Sequence, residues 1–285
     1  MESQPRKIEL GQATTVVWGD DSAGRASDWF YEYPDDLIHA NLFATAPGER
    51  WVDSEAAGFK PLYARHEVYF VVEGSLVLSN PATGEVHPVS AGDAVFLPAH
   101  TWHHGFNFGS TAAVILSLWN PMLGEAAPAP AAGAESVAAR YGQDEFLGRW
   151  PAARAEAHAK SRMEVIREDD YLWRLEGERQ EVLVGIVAST AQLTAGKVYV
   201  PAARRGAVHS HPGDEFVYLE HGAIQIEFPS LVYERASQPG TQYTRRIELN
   251  AVGECCYIPQ GLEHRYANVT GAPARCIFGV APHYK

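Results

Sequence analysis

The chain has 285 residues, 46% of them hydrophobic, enough for one large or two ordinary domains with sizeable cores. Lys and Arg number 23 against 35 Asp and Glu, a formal net charge of −12, and no basic run stands out, which excludes the electrostatic footprint of a nucleic-acid or anionic-membrane binder. The first residues, MESQPRKIELGQ, lack the apolar core of a signal peptide, and no stretch approaches the roughly 18 apolar residues of a membrane span, so a cytoplasmic protein with a small-molecule partner is expected.

Taken in order, Trp29-Phe-Tyr-Glu-Tyr and the apolar patch Leu37 to Phe43 read as short strands. The pattern sharpens at His66-Glu-Val-Tyr-Phe-Val-Val-Glu-Gly74, followed by a second stretch from Gly92 to Asn107. Both stretches recur later in the chain. Glu67 and Gly74 stand 148 residues before Glu215 and Gly222, while Gly92, Pro98, His103 and Asn107 stand 161 residues before Gly253, Pro259, His264 and Asn268. This is an internal repeat, and the second copy is 13 residues longer between its two segments. The extra length falls in Phe228 to Arg246, expected as an extended hairpin or loop that covers a pocket or reaches a partner subunit.

Between the copies, Gly124 to Gly133 is Ala/Pro-rich and reads as a linker, and Ser136 to about Arg162 has helix-forming composition interrupted by Pro151, consistent with two short helices. Strand patterns return at Glu181 to Val187 and Gly196 to Val200. The resulting division is an N-terminal unit over 1–123, a linker over 124–165 and a C-terminal unit over 166–285. Cys255, Cys256 and Cys276 are odd in number and show no C-x2-C spacing, so they are expected as reduced, buried thiols, with one of the adjacent pair facing an interior.

The most informative stretch is His209 to Gly222, HSHPGDEFVYLEHG, completed by Gly253 to Asn268, GECCYIPQGLEHRYAN. Side chains alternate across a strand, so His209, His211 and Glu215 share one face if the strand is regular. The strand pattern Cys-Cys-Tyr-Ile runs into a Pro259-Gln-Gly261 turn and delivers a third imidazole, His264. Three neutral imidazoles and one carboxylate suit a divalent first-row metal, with positions left for water or substrate. The equivalent positions of the first copy are not equivalent in chemistry. Glu67 and His103 are retained, but Pro61 and Tyr63 replace the first two histidines. His66 faces away from Glu67 in a regular strand, and His100 and His104, near a turn, read as surface residues.

His209, His211, Glu215 and Gly222 resemble the first cupin motif, and Gly253, Pro259, Gly261, His264 and Asn268 resemble the second, although the leading Gly of the first motif is replaced by Ala203. The resemblance implies an all-β fold of two tandem cupin barrels (double-stranded β-helix, or jelly-roll) with a short helical linker, a bicupin whose C-terminal barrel holds the metal through His209, His211, Glu215 and His264. Fe(II) is the expected ion, with Mn(II), Zn(II), Ni(II) and Cu(II) as alternatives. A dioxygenase acting on a small organic substrate that chelates the metal is the first expectation. A non-oxidative isomerase, lyase, decarboxylase or amidohydrolase is the second, and a non-catalytic small-molecule binder the third. Tyr266, which shares the parity of His264, is a candidate beside the metal, and Arg204, with Arg205, is a candidate partner for a substrate carboxylate. Val217 and Leu219 are expected on the pocket wall. Barrel edges commonly pair, so a homodimer is expected.

Overall fold

Stretches rich in Val, Ile, Phe and Tyr form strands throughout the computed structural model, which describes residues 4–20, 24–31, 37–52, 65–80, 83–120, 148–282 and 284. The expected strands are present at Gly24–Tyr31, His39–Thr45, Glu67–Glu73, Val182–Ser189, Thr194–Val200 and Cys255–Ile258. The Ala/Pro-rich linker and the start of the expected helical region lie outside the described residues. Within them a helix runs over Arg154–Lys160.

Two sandwiches result, built alike. In the first, a seven-stranded sheet among the described residues runs in the order Glu164–Ile166, Ala94–Leu97, Glu67–Glu73, Ala113–Trp119, His39–Thr45, Gly24–Tyr31 and Thr14–Asp20. It packs on a smaller sheet ordered Arg50–Trp51, His104–Phe106, Ser75–Asn80 and Glu85–Ser90. Phe43, Tyr69, Val71 and Ile115 of one layer meet Trp51, Leu76, Leu78 and Val89 of the other in a common core. The second sandwich repeats this with Arg6–Ile8, Cys255–Ile258, Asp214–His221, Ala274–Ala281, Thr194–Val200, Val182–Ser189 and Leu172–Glu176 in the large sheet. Gln238–Leu249, Ile224–Arg235 and Arg265–Ala267 form its smaller sheet.

The outermost strand at one end of each large sheet comes from the other half of the chain. Arg6–Ile8 pairs antiparallel with Cys255–Ile258, and Glu164–Ile166 pairs with Ala94–Leu97. Each barrel thus closes one edge of its neighbour, hiding backbone that would otherwise stand unpaired.

The large sheets also pack against each other, which explains why their central strands read as continuous apolar runs. In Asp214–His221, Phe216 and Tyr218 point into a core shared with Ile38, Leu42, Phe70, Leu116 and Leu118 of the first half. The alternate residues, Val217 and Leu219, point into the second barrel's own core. Cys255 and Cys256 divide in the same way, one into each core, and all three cysteines are free and buried. Each large aromatic or aliphatic side chain so buried contributes on the order of 1.5–3 kcal/mol.

Candidate metal centre

The backbone brings the candidate ligands together before their side chains are considered. His209 and His264 form an isolated antiparallel bridge, each amide donating to the other's carbonyl at 2.9 Å. The regular strand begins only at Asp214, after Pro212 and Gly213. Gly213 passes so close to the neighbouring strand that a Cβ there would lie 2.3 Å from the Ala281 carbonyl oxygen. The Pro259–Gly261 turn is fastened across the same spot, with the Gly261 amide donating to the His211 carbonyl at 2.7 Å and the Gln260 amide to Asp214 Oδ1 at 2.8 Å. Gly261 has φ of 72°, the left-handed conformation the turn requires.

On this frame one potential ligand atom from each of His209, His211, Glu215 and His264 falls within 4.8 Å of all the others. Every imidazole is oriented by a backbone carbonyl: Nδ1–H donates to Ala207 from His209 at 3.1 Å, to Tyr284 from His211 at 3.0 Å, and to Leu262 from His264 at 2.9 Å. A carbonyl only accepts, so Nδ1 carries a proton in each ring and Nε2 is the atom turned toward the carboxylate. His264 Nε2 lies 2.8 Å and His211 Nε2 3.6 Å from Glu215 Oε2, and these three buried atoms have no conventional hydrogen-bond partner. Lone pairs facing a carboxylate at such distances require a cation between them, either a proton on a ring or a metal ion. The donor set, three nitrogens and one oxygen, fits a divalent first-row ion.

The electrostatics agree. Burial raises the Glu215 carboxyl, but the imidazoles of His264, His211 and His209 outweigh it and bring it down to about 2, so the group is a carboxylate at neutral pH. Burial lowers His209, with the nearby His264 adding to the effect, and keeps its ring neutral. Burial also lowers His264, but the charge of Glu215 outweighs it and lifts the ring above its ordinary value. Tyr266 lies against this group. Its hydroxyl donates to Glu215 Oε1 in a short hydrogen bond, leaving Oε2 turned toward the histidines.

A small, partly open cleft of about 80 Å³ leads to His209, Glu215 and Tyr266. Its walls correct three expectations. Val217 and Leu219 are fully buried in the core and do not line it. Arg204 is exposed and outside the cleft, and Arg205 is turned to Glu227 at 3.4 Å, so the structure does not bring these cations to the site. The segment Phe228 to Arg246 is an extended hairpin, as expected; it supplies no residue to the described lining of the cleft, which leaves contact with a partner subunit as the other role expected of it. In their place stand Val182, Val184, Val198, Phe278, Glu176 and Tyr284. Tyr284 stacks on His211 with ring centres 4.3 Å apart and donates its hydroxyl to Glu176 Oε2 at 2.9 Å. Sequence pattern gave no signal for either residue, because both lie far along the chain from the motifs and meet the site only through the barrel's closure.

The first barrel is wired differently at the same place. Pro61 and Tyr63 lie outside the described residues. His103 donates Nδ1–H to the Thr101 carbonyl at 3.1 Å, as His264 does to Leu262, but its Nε2 receives the Tyr69 hydroxyl at 2.8 Å. Glu67 is paired with Arg65 at 3.0 Å. A phenol and a guanidinium thus occupy the lone pairs that face each other in the second barrel. His66 turns away, accepting from the Ala99 amide at 3.1 Å, and His100 is exposed. His104, expected at the surface, is instead 2% exposed, drawn inside by the strand His104–Phe106. Among the described residues the C-terminal quartet is the cluster able to hold a metal.

Residues 60–119 match the Cupin_2 family model, described as a cupin domain. No curated protein sequence matches the chain. Among solved structures it is similar to a protein described as glyoxylate-induced from Pseudomonas aeruginosa, at 13% identity and a TM-score of 0.65, covering 98% of this chain and 89% of that one. An oxalate decarboxylase from Lactobacillus farciminis, in a formate complex, superposes with a TM-score of 0.62 at 14% identity over 98% and 87% of the two chains. AerE from Microcystis aeruginosa gives 0.57 at 11% identity over 98% and 97%. At these identities the likeness is one of fold. The domain match covers part of the first half, and the likeness in fold extends over both barrels, which share one construction.

Proposed function

We propose that the chain is a metal-dependent enzyme in which His209, His211, Glu215 and His264 hold one divalent ion and the adjoining cleft takes a small organic substrate that chelates it. The observation that carries this reading is the set of three imidazoles anchored at Nδ1, with their Nε2 atoms gathered around a buried carboxylate. When bound, the ion supplies a Lewis-acidic centre, redox-active in the case of iron, with coordination positions left for substrate.

The protein's own groups do the rest. Tyr266 fixes Glu215 through Oε1, so the ligating oxygen is held rather than free to rotate. Val182, Val184, Val198 and Phe278 give the cleft an apolar wall that limits water near the reacting group. Our first reading of the reaction is an iron-dependent dioxygenation of an enediol or catechol-like substrate. The test is oxygen uptake by iron-loaded protein against such compounds, and equal product formation under strict anaerobiosis would refute it.

A non-oxidative lyase or isomerase is the second reading, favoured by the shared fold with oxalate decarboxylase. Oxalate itself is a poor fit, since among the described residues no Lys or Arg lines the cleft to meet its second carboxylate. Oxygen-independent turnover by protein carrying manganese or zinc would select this reading over the first.

A further inference from the structure

The cleft holds one charged side chain that the metal centre does not use. Glu176, at the end of the strand Leu172–Glu176, lines the cleft together with Val182, Val184, Val198 and Phe278. Its Oε2 accepts the Tyr284 hydroxyl at 2.9 Å, while its buried Oε1 has no hydrogen-bond donor among the described residues. Arg174 Nη2 stands 3.8 Å from that oxygen, too far for a hydrogen bond, on a side chain that is 41% exposed and solvent-screened. Tyr284 also gives its carbonyl to His211 and its ring face to the same imidazole, so it fixes the position of Glu176 relative to the quartet.

We infer that Glu176 is a specificity-determining residue which accepts a hydrogen bond from an amino or hydroxyl group on the substrate, a deepening that rests on the metal-enzyme reading above. A buried carboxylate oxygen without a donor is costly, and a donor arriving with the substrate removes that cost. The same geometry selects against alternatives. A substrate with a second carboxylate would bring like charge to Glu176 across an apolar cleft whose described lining offers no Lys or Arg, the nearby cation, Arg174 at 3.8 Å, standing outside that lining and solvent-screened. The substrate class is therefore a compact molecule with chelating oxygens at one end, an apolar body, and an ammonium or hydroxyl group at the other.

The experiment uses benzylamine, benzyl alcohol and benzoate as probes, titrated by calorimetry into the full chain, metal-loaded and metal-free, as wild type and as Glu176→Gln. Glutamine keeps an acceptor for the Tyr284 hydroxyl, so the fold and the His211 contact are preserved. The expected result is that metal-free wild type, in which no ion draws the benzoate carboxylate, prefers benzylamine or benzyl alcohol to benzoate, and that Glu176→Gln narrows this preference about tenfold while the metal content of the loaded protein is unchanged. A loss confined to benzylamine identifies an ammonium, and a loss shared by benzyl alcohol identifies a hydroxyl donor. An unchanged order of affinities in Glu176→Gln overturns the proposal, as does absence of benzylamine and benzyl alcohol binding by wild type. A chain that takes up no metal refutes the metal-enzyme reading instead, because the metal-free titrations still report on Glu176.

Discussion

Replacing Tyr266 by phenylalanine removes one oxygen atom and leaves the ring in place. The side chain is 5% exposed on the strand Arg265–Ala267, and its backbone is paired opposite Ile226, so the substitution preserves packing and register. What is lost is the hydrogen bond to Glu215 Oε1, in a residue that is itself 2% exposed and reaches no bulk water that could substitute. A hydrogen bond to a charged acceptor is worth about 1.5–3 kcal/mol, which corresponds to about 10- to 100-fold in an equilibrium constant. Losses of about 10- to 100-fold in metal affinity are also typical when the support of a metal ligand is removed. Competition with a chromophoric chelator, run on wild type and Tyr266→Phe, reads the affinity directly. Thermal unfolding with and without metal shows whether the loss lies in the site or in the fold. Metal affinity within twofold of wild type would refute the view that Tyr266 holds the carboxylate for its task.

Three further outcomes follow from the same structure. Burial lowers His104 to about 4 from an ordinary 6.5, with His103 adding to the effect, so the unfolded chain binds this proton more readily than the folded one. Its contribution, on the order of 3 kcal/mol, is present above about pH 6.5 and lost as pH falls toward 4. Denaturant titrations at both ends of that window should show a flatter pH dependence for His104→Gln, and an unchanged slope would count against this assignment. In Gly105→Ala the new Cβ would meet the Trp51 indole at 2.2 Å, and a loss of about 1–3 kcal/mol in denaturant unfolding is expected. Ile8→Ala empties a position that is 6% exposed on the strand exchanged onto the second barrel, with an expected cost of about 2–5 kcal/mol. Unchanged stability there would mean the exchanged strand does not help hold the two halves together.

The clustering of His209, His211, Glu215 and His264 was legible because its information is local: a turn, a strand start and two short motifs fix where each side chain goes. Even so, the regular strand invoked for His209 and His211 begins only at Asp214, and it is the bridge between His209 and His264 that aligns the rings. The two-barrel architecture was legible from the repeat, since Glu67 and Glu215, and His103 and His264, occupy matching strands and turns. The exchange of edge strands was not, because Arg6–Ile8 carries no pattern that says which of two similar sheets it will extend. The cleft wall escaped for a related reason. Val182, Val198, Phe278 and Glu176 come from four strands whose registers depend on bulges such as the one between Ile186 and Ala188. Arg204 lies near His209 in sequence but is exposed and outside the cleft, and the residue before it, Ala203, has a left-handed φ of 55°.

The most direct measurement is the metal content of purified protein by mass spectrometry, compared for wild type, Glu215→Ala and His103→Gln, with circular dichroism confirming that each is folded. About one ion per chain is expected in wild type and in His103→Gln, and less than about a tenth of that in Glu215→Ala, because a site missing its one carboxylate loses both charge and a ligand. Full metal content in Glu215→Ala, or loss of metal on changing His103, would place the ion elsewhere and contradict the assignment of the centre to the second barrel.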